Sequence, residues 1–410
     1  FVIMKQFVTL IFLTYLSLFS NAQNIKSIQL RPLQENNYSS IVPLGTVLEL
    51  SFDDLEADGK DYKYKIEHMT HDWQKSRLLS SQYVDGFNQN TIINVTNSFN
   101  TFQSYSHYKV RIPNTNTVIT KSGNYLLSVL DDYDEVVFTR RFVLYENIAK
   151  AGVAISRSRN AKKLDSQQTV EFTISHPNVR INNPQQELNV VIIQNENWNK
   201  TITGLQPTFF QPNLLRYTYT NKTNFEGGNE YLNFDSKILR NKSINTIKIT
   251  QNGTDVFHHY IYPFEYNPYL EYRYNPDING QFVIRSLEGS NPDTEADYIM
   301  MHFTLNVEAP FLDENVYVYG AFNNFKIEEE NKMTYDFKDN AYKATILLKQ
   351  GFYNYTFATV NKFNEVNTNK INGSFFQTEN EYKVLVYLKL FGSLYDRVIA
   401  VGTGFFNPDR

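Results

Sequence analysis

Residues 125–144 have the sequence YLLSVLDDYDEVVFTRRFVL, and this stretch indicates the fold class. Two runs rich in β-branched and aromatic side chains, at 125–130 and 136–144, flank the acidic residues 131–135. Val, Tyr and Phe favour strands, whereas Asp favours turns. The stretch therefore predicts a β-hairpin whose two strands pair antiparallel.

The same pattern recurs on both sides of this hairpin. Further strands are predicted at 47–52, 62–67 and 107–112, and this region shows no sustained helical period of apolar residues. The chain contains 31 Phe, 29 Tyr and 2 Trp, which is 15% of its residues. Because aromatic side chains are enriched in strands, the sequence predicts an all-β protein.

The length of 410 residues corresponds to about three domains. The spacing of the predicted strands is typical of immunoglobulin-like β-sandwiches. We expect three such domains in tandem after a signal peptide: the first at 23–147, the second at 148–266 and the third at 295–410. Residues 267–294 are rich in Pro, Gly and Asn and are predicted to form a structured linker.

Residues 1–22 have the pattern of a secretory signal peptide, with Met4 as the expected start. The apolar run FVTLIFLTYLSLF occupies residues 7–19. A membrane anchor is the alternative, but this run is shorter than the roughly 20 residues that span a bilayer. Small residues at the end of the segment predict cleavage between Ala22 and Gln23. We therefore expect an exported protein, and the periplasm is the expected compartment.

The charge and the cysteine content exclude several classes of protein. With 39 basic and 43 acidic residues the net charge is −4, whereas a nucleic-acid-binding domain carries a strongly basic face. The sequence contains no cysteine, which excludes disulfides, thiol nucleophiles and cysteine zinc sites. We expect no nucleic-acid partner.

Two features of the sequence contain residue types that bind metal ions. The acidic run at 53–61 resembles a calcium loop, but the alignment places Lys65 where a glutamate ligand is required. The adjacent residues His258 and His259 project from opposite faces of a strand, so they cannot bind one ion together. A solvated turn explains the acidic run better, and we expect no metal and no other cofactor.

The sequence offers no motif of a hydrolytic enzyme. The patterns GxSxG, SxxK and HExxH do not occur in a strand–turn–helix context. The neighbouring carboxylates Asp293 and Asp297 are better explained by helix capping and solvation than by glycosidase chemistry. We predict no catalytic residue and no enzyme activity. An exported hydrolase whose carboxylates converge from distant strands is an alternative without a motif.

One candidate for a partner contact lies at residues 225–231. Gly227 and Gly228 permit unusual backbone angles, and they stand between Phe225 and Tyr231. Aromatic residues anchor many protein interfaces. The four residues therefore form a candidate contact loop, and the ordinary end of a hairpin is the alternative.

Residues 316–325 and 351–357 resemble the early-set immunoglobulin-like sandwich of glycogen-binding modules. In those modules the first of these strands ends in Gly-x-Phe-Asn-x-Trp, and this chain has Phe325 in place of the Trp. The two tryptophans of the chain, Trp73 and Trp198, lie outside this unit. The resemblance implies the fold without a sugar-stacking platform, so carbohydrate is not an expected ligand. An exported carbohydrate-binding accessory protein is the alternative function.

Segments spread along the chain carry a second resemblance: 25–32 (IKSIQLRP), 71–73 (HDW), 122–125 (SGNY), 140–142 (RRF), 275–280 (NPDING) and 402–408 (GTGFFNP). The chain resembles the plug protein family of the type IX secretion system of Bacteroidota. The resemblance implies a periplasmic protein without a membrane span, whose partner is the giant outer-membrane β-barrel translocon of that system. It also implies that the protein closes the periplasmic opening of the translocon when no substrate fills it.

Overall fold

The computed structural model describes residues 24–267 and 269–407. These residues form three domains, each with its own main hydrophobic core. Their secondary structure is almost entirely β, which confirms the all-β fold class. In this part of the chain, none of the helices is long and apolar enough to cross a membrane. The predicted signal peptide and the cleavage site between Ala22 and Gln23 lie outside the described residues.

The first domain is a two-layer β-sandwich. Its strands are β1 (Ile25–Pro32), β2 (Ile41–Pro43), β3 (Leu48–Asp54), β4 (Lys63–Met69), β5 (Val84–Gly86), β6 (Gln89–Thr91), β7 (Asn94–Asn97), β8 (Ser106–Ile112), β9 (Thr117–Ile119), β10 (Gly123–Leu130) and β11 (Val136–Tyr145). One sheet has the order β1-β3-β8-β7, the other has the order β2-β11-β10-β4-β6, and β5 pairs with β9. Side chains from both large sheets share one core.

The hairpin predicted from residues 125–144 is present in this domain. Strands β10 and β11 pair antiparallel, with Tyr125 opposite Phe142. On the neighbouring strand β4, Tyr64 and Ile66 are buried while the residues between and beside them are partly exposed. Apolar and polar residues that alternate in the sequence therefore alternate between buried and partly exposed positions in the strand.

The second domain begins with two separate sheets. Its first strands are β12 (Lys150–Arg157), β13 (Gln167–Ser175), β14 (Leu188–Gln194), β15 (Thr201–Ile202), β16 (Phe209–Gln211), β17 (Leu214–Tyr217) and β18 (Asn224–Glu226), with the short helix α1 (Pro184–Glu187) before β14. Strand β13 pairs with β12, β17 and β18 in one sheet. Strand β14 pairs with β15 along one edge. Because β14 is buried on both faces except at Asn189, it requires a partner along its other edge as well.

The third domain is one continuous sheet that folds around its core. Its elements are β19 (Leu232–Asp235), β20 (Thr246–Thr250), β21 (Phe257–Ile261), β22 (Phe264–Glu265), β23 (Phe282–Ile284), α2 (Pro292–Glu295), β24 (Tyr298–Asn306), β25 (Glu314–Tyr319), β26 (Lys332–Asp336), β27 (Ala341–Lys349), β28 (Gly351–Asn361) and β29 (Val366–Asn367). Strand β26 forms a corner, because Met333 pairs with Val316 of β25 and Thr334 pairs with Lys343 of β27. Both layers therefore bury their apolar faces against one another.

After the third domain the chain returns to the second. The last strands are β30 (Asn380–Leu388) and β31 (Arg397–Phe406). Strand β30 pairs with β14 over its whole length, beginning with Leu388 opposite Leu188. Apolar side chains of β30 and β31 lie in the core of the second domain. The third domain is thus inserted between two strands of the second.

This connectivity corrects the predicted tandem order of domains. The strands between 232 and 265 belong to the third domain, and those between 380 and 406 belong to the second. The predicted linker at 267–294 contributes β23, whose Phe282 stacks on Tyr353 with 5.3 Å between ring centroids. Pairing between strands that are distant in the chain leaves no local pattern, so reading the strands in order cannot reveal the insertion.

Candidate functional site

A buried ion pair joins the first domain to the third. The side chains of Lys349 on β27 and Asp53 on β3 are 1% and 0% exposed, and 2.7 Å separates Lys349 Nζ from Asp53 Oδ2. The hydroxyl of Tyr298 donates to the same oxygen at 2.7 Å, and His107 Nδ1 lies 2.5 Å from Asp53 Oδ1. Burial lowers the pKa of Lys349, although the charge of Asp53 opposes this shift. Either group alone would be an uncompensated buried charge, so the pair holds the two domains together.

A second polar cluster joins the first domain to the last two strands. The guanidinium of Arg397 donates to both oxygens of Glu146, at 3.2 and 2.6 Å. The hydroxyl of Ser122 donates to Glu146 Oε1 at 2.5 Å. Burial acts to raise the pKa of Glu146, but the hydrogen bonds from Arg397 and Ser122 outweigh it, so the pKa lies below its usual value. The carboxylate is therefore charged at neutral pH, and the two-point contact fixes its orientation.

An apolar cluster also lies between the first and second domains. It contains Ile41 and Val143 from the first domain and Val191, Ile193 and Leu385 from the second. Small polar contacts between domains permit relative motion, whereas extensive apolar contacts oppose it. Together with the ion pairs, this cluster keeps the domains in one arrangement.

The four residues predicted as a contact loop are buried. Phe225 is 7% exposed and packs against Tyr382 in the core of the second domain, with 5.2 Å between ring centroids. Tyr231 is 6% exposed and belongs to a small apolar cluster at the edge of the third domain. The segment therefore does not present an aromatic anchor to a partner, because its aromatic side chains complete two domain cores.

The two glycines of this segment allow one backbone to pass close to another. A Cβ atom on Gly227 would lie 2.0 Å from the carbonyl oxygen of Phe375. Gly228 has a φ of +69° and donates its N–H to Ser374 Oγ at 3.0 Å. The glycine pair thus marks the place where the chain leaves the second domain next to the segment by which it returns. It is neither a surface loop nor the end of a hairpin.

The carboxylates considered as a catalytic pair connect domains. Asp293 pairs with Lys109 of the first domain. Asp297 accepts hydrogen bonds from the backbone N–H groups of Phe102 at 2.6 Å and Gln103 at 3.2 Å. Both side chains are thus engaged by the first domain, and their role in this arrangement is structural.

The residues considered as metal ligands have other partners. Asp54, in the acidic run, accepts a hydrogen bond from the hydroxyl of Tyr62 at 2.8 Å. His258 Nδ1 lies 2.8 Å from His302 Nε2, whereas His259 Nε2 lies 2.9 Å from a backbone carbonyl. Across residues 24–267 and 269–407, no three His, Asp or Glu side chains are grouped to hold a metal ion.

All three domains contribute to a cavity at their junction. Its volume is about 680 Å³. Strand β11 contributes Arg140 and Arg141, the segment after β14 contributes Trp198 and Lys200, and the third domain contributes Phe325. We call this cavity the junction cleft. Trp198, Phe325 and the segment 140–142 are notable in the sequence for other reasons, but nothing in the sequence places them together, because residues from three domains share no spacing in the chain.

Phe325 forms part of the wall of the junction cleft. It is 5% exposed, and its ring centroid lies 5.4 Å from that of Tyr319. A sugar-stacking aromatic residue must offer a free ring face, and this side chain is packed inside an apolar cluster. The residue that replaces the tryptophan of glycogen-binding modules is therefore used for packing.

The cations of the junction cleft differ from those at the interfaces. Among the described residues, no carboxylate lies within ion-pair distance of Arg140 or Lys200. Burial lowers the pKa of Arg140 to about 10, with Glu328 opposing the shift from a greater distance. Burial also lowers the pKa of Lys200 to about 8. The charged form of both side chains is therefore disfavoured, and an anion in the cleft would restore it.

The two tryptophans of the chain meet at the wall of the junction cleft. Trp73 and Trp198 pack edge to face with 4.8 Å between ring centroids. The guanidinium of Arg141 lies 4.5 Å from the centroid of the Trp73 ring. A cation–π contact of this kind orients an arginine without neutralising its charge. The sequence placed both tryptophans outside the third unit, and only the fold shows that they are neighbours.

The fold and the interfaces define a three-domain β-sandwich protein whose domains are held by buried contacts around a cationic cleft. Residues 25–146 match the family described as type 9 secretion system plug protein, 1st domain. The crystal structure of a hypothetical protein from Parabacteroides merdae is 32% identical to this chain, with a TM-score of 0.89, and the match covers 94% of this chain and 98% of that one. No curated protein matches the chain. The chain belongs to the type 9 secretion system plug protein family.

Family membership defines the general role of the protein. The matched region, residues 25–146, coincides with the first domain, which ends with β11 at Tyr145. Proteins of this family are structural components of a secretion machinery. The protein therefore has a role related to type IX secretion, in association with that machinery in the cell envelope.

Proposed function

We propose that the protein is the gating subunit that closes the periplasmic opening of the outer-membrane β-barrel translocon when no substrate occupies it. The family match of the first domain carries this proposal. The similarity of the Parabacteroides merdae protein over 94% of the chain indicates that all three domains belong to one conserved unit. A pore wide enough for folded cargo would breach the outer membrane if it stayed open, so such a translocon requires a stopper.

The architecture suits a stopper because it resists deformation. A plug occludes a pore only if its domains keep their relative positions. Here the first domain is joined to the third by the Asp53–Lys349 pair and to the second by the Glu146–Arg397 pair. The insertion of the third domain into the second adds two covalent connections between them, which opposes their separation.

We infer that the protein acts in the periplasm and is attached to the outer membrane through its barrel partner. The signal peptide predicted at 1–22 would export the chain. A periplasmic protein can reach the inner mouth of an outer-membrane pore directly, so it needs no membrane anchor of its own.

The connection between β30 and β31 is our candidate for the barrel contact in place of residues 225–231. This loop exposes Leu390, Phe391 and Leu394, and Phe391 is fully exposed at 104%. Aromatic side chains are frequent anchors of interfaces. A stable interface buries roughly 1,200–2,000 Å², so the loop would act as the anchor of a broader surface.

The proposal is tested by the permeability of the outer membrane to a glycopeptide antibiotic. Cells that produce the barrel but lack this protein should admit the antibiotic, and the wild-type gene should restore the barrier. The variant Phe391→Ser should restore it only in part. Phe337→Ser, which changes a phenylalanine of 77% exposure in the third domain, is the matched control and should restore it fully. Unchanged permeability after deletion, with equal amounts of barrel, would show that the protein is not the gate.

A further inference from the structure

The junction cleft carries more positive charge than its own residues balance. Its lining includes four cations, Arg31, Arg140, Arg141 and Lys200, that have no carboxylate within ion-pair distance among the described residues. The two lining carboxylates are already engaged: Glu196 pairs with Lys383, and Glu328 pairs with Lys326. The chain as a whole has a net charge of −4, so this concentration of positive charge is a local property of the cleft.

Unpaired cations in a partly buried position are energetically unfavourable. Charged groups away from bulk solvent are normally paired or hydrogen-bonded. Lys349, which is buried elsewhere in this protein, is paired with Asp53, whereas Arg140 in the cleft has only a hydrogen bond to the backbone carbonyl of Thr139, at 2.9 Å. We therefore expect the cations of the cleft to bind a ligand that carries negative charge.

The junction cleft also offers hydrogen-bond acceptors. Gln281 and Asn324 line the cleft, and each carries a side-chain amide whose oxygen accepts and whose nitrogen donates hydrogen bonds. An inorganic anion offers mainly acceptors, so it cannot satisfy the two amide oxygens. A polypeptide brings N–H donors together with carboxylates, so it complements both features.

The shape of the region favours an extended ligand. A second cavity, of about 810 Å³, shares Asn199, Lys200, Val366 and Thr368 with the junction cleft. Its lining combines amide and hydroxyl side chains, which both donate and accept hydrogen bonds, with the carboxylates Glu226, Glu314 and Glu365. The amide and hydroxyl residues are Thr201, Asn224, Thr359, Asn361, Asn367 and Asn369. Lys200 thus stands where a cationic cleft continues into a polar one, and the two together exceed the size of a small ion.

We propose that the junction cleft binds an extended acidic peptide segment of a partner protein, with Arg140, Arg141 and Lys200 pairing its carboxylates and Gln281 and Asn324 hydrogen-bonding its backbone. This binding is separate from occlusion of the pore. The site lies inside the body of the protein, between the domains, whereas a barrel would contact its outer surface.

The two tryptophans provide a direct readout of binding. Trp198 lines the cleft and packs against Trp73, and the chain has no other tryptophan. The purified full chain is titrated with a short synthetic peptide of alternating Glu and Ser, and selectively excited tryptophan fluorescence is recorded. We expect a saturable change, and about tenfold weaker binding of the peptide with Gln in place of Glu. Equal binding of the two peptides would overturn the proposal.

Variants separate the cleft from general electrostatic attraction. Arg140→Gln and Lys200→Gln should each weaken binding of the Glu peptide by about tenfold. The matched controls Arg77→Gln and Lys242→Gln change exposed cations outside the cleft and should leave it unchanged. Circular dichroism and urea unfolding confirm that each variant is folded. If the two cleft variants bind like the wild type, the cleft is not the site.

Inorganic phosphate distinguishes a peptide site from a simple anion site. At matched ionic strength, phosphate should not displace the Glu peptide at concentrations near that of the peptide. Displacement at such concentrations would show that the cleft recognises anions without regard to the polypeptide, and it would overturn the peptide assignment. Because all of these measurements use the isolated chain, their outcome does not depend on the gating role.

Discussion

Two lysines at domain junctions illustrate two different uses of a buried charge. Lys349 lies between the first and third domains, 2.7 Å from Asp53. Lys200 lies in the junction cleft, and among the described residues no carboxylate is within ion-pair distance of it. Burial lowers the pKa of both ammonium groups. The difference lies in the partner: of these two lysines, only Lys349 has a carboxylate within ion-pair distance among the described residues, whereas Glu226 acts on Lys200 from a greater distance.

This difference separates a structural site from a binding site. A buried pair is costly to break because the remaining group loses both solvent and partner. An unpaired buried cation already destabilises the folded state, so its removal should stabilise the protein. Burial and residue type alone therefore do not reveal the role of a charged side chain. The direction of the stability change on substitution should do so.

The largest effect is expected for Asp53→Asn. This change leaves Lys349 buried without a counter-charge, so the free energy of unfolding should fall by about 3–5 kcal/mol. Urea unfolding at neutral pH measures it. Asp58→Asn, at a surface carboxylate with 51% side-chain exposure, is the control and should change little. A loss from Asp53→Asn no larger than that of the control would remove the distinction between the two lysines.

An effect of opposite sign is expected for Lys200→Met. Removing the unpaired ammonium should raise the free energy of unfolding at neutral pH by an amount on the order of 1–2 kcal/mol, reduced by solvent screening of this partly exposed group. Lys242→Met at an exposed lysine is the control. A destabilised Lys200→Met variant would mean that the lysine has a structural role.

The same variant should change the pH dependence of stability. The folded pKa of Lys200 is about 8 and its ordinary value is 10.5. Between these values the unfolded chain binds more protons than the folded chain, so the wild type gains stability from this group as pH rises. The advantage of Lys200→Met should therefore shrink over that interval. Parallel stability curves for the two proteins would contradict the depressed pKa.

The smallest effect is expected for Glu146→Gln at the other paired interface. The amide keeps a hydrogen bond to Arg397 but loses the charge, so the loss at neutral pH should be roughly 1 kcal/mol. The pKa of Glu146 lies below its ordinary value of 4.5, so its contribution is present above that pH and is lost as pH falls through the folded pKa. The variant and the wild type should converge in acid, whereas Glu35→Gln at an exposed site should match the wild type throughout. A difference that persists in acid would point to packing instead of charge.

Local features of the fold were predictable from the sequence. The hairpin at 125–144 and the alternation on β4 reflect properties of neighbouring residues, because a strand exposes alternate side chains to opposite faces. The position of the third domain was not predictable in this way. It depends on the pairing of β14 with β30, two apolar strands that are far apart in the chain.

Most of the candidate site could not be predicted from the sequence. The glycine pair at 227–228 correctly indicated an unusual backbone conformation. The structure shows that the pair is buried where two backbone segments pass close to each other, and not in a contact loop. Trp73 and Trp198 lie in different domains and give no hint of their contact. Arg140 and Lys200 look like ordinary surface cations until the fold shows that they share a cleft.

The sequence by itself determined the all-β class, five strands of the first domain and the resemblance to plug proteins, because each depends on local patterns or on residue identity. The tertiary structure decided which strands pair across the inserted domain, which aromatic residues are buried and which charges lack a partner. These properties depend on distances between residues that are remote in the chain. Burial disfavours the charge of both lysines, and the position of the carboxylates decides how much of that cost is offset: Asp53 lies beside Lys349, whereas Glu226 acts on Lys200 only from a distance.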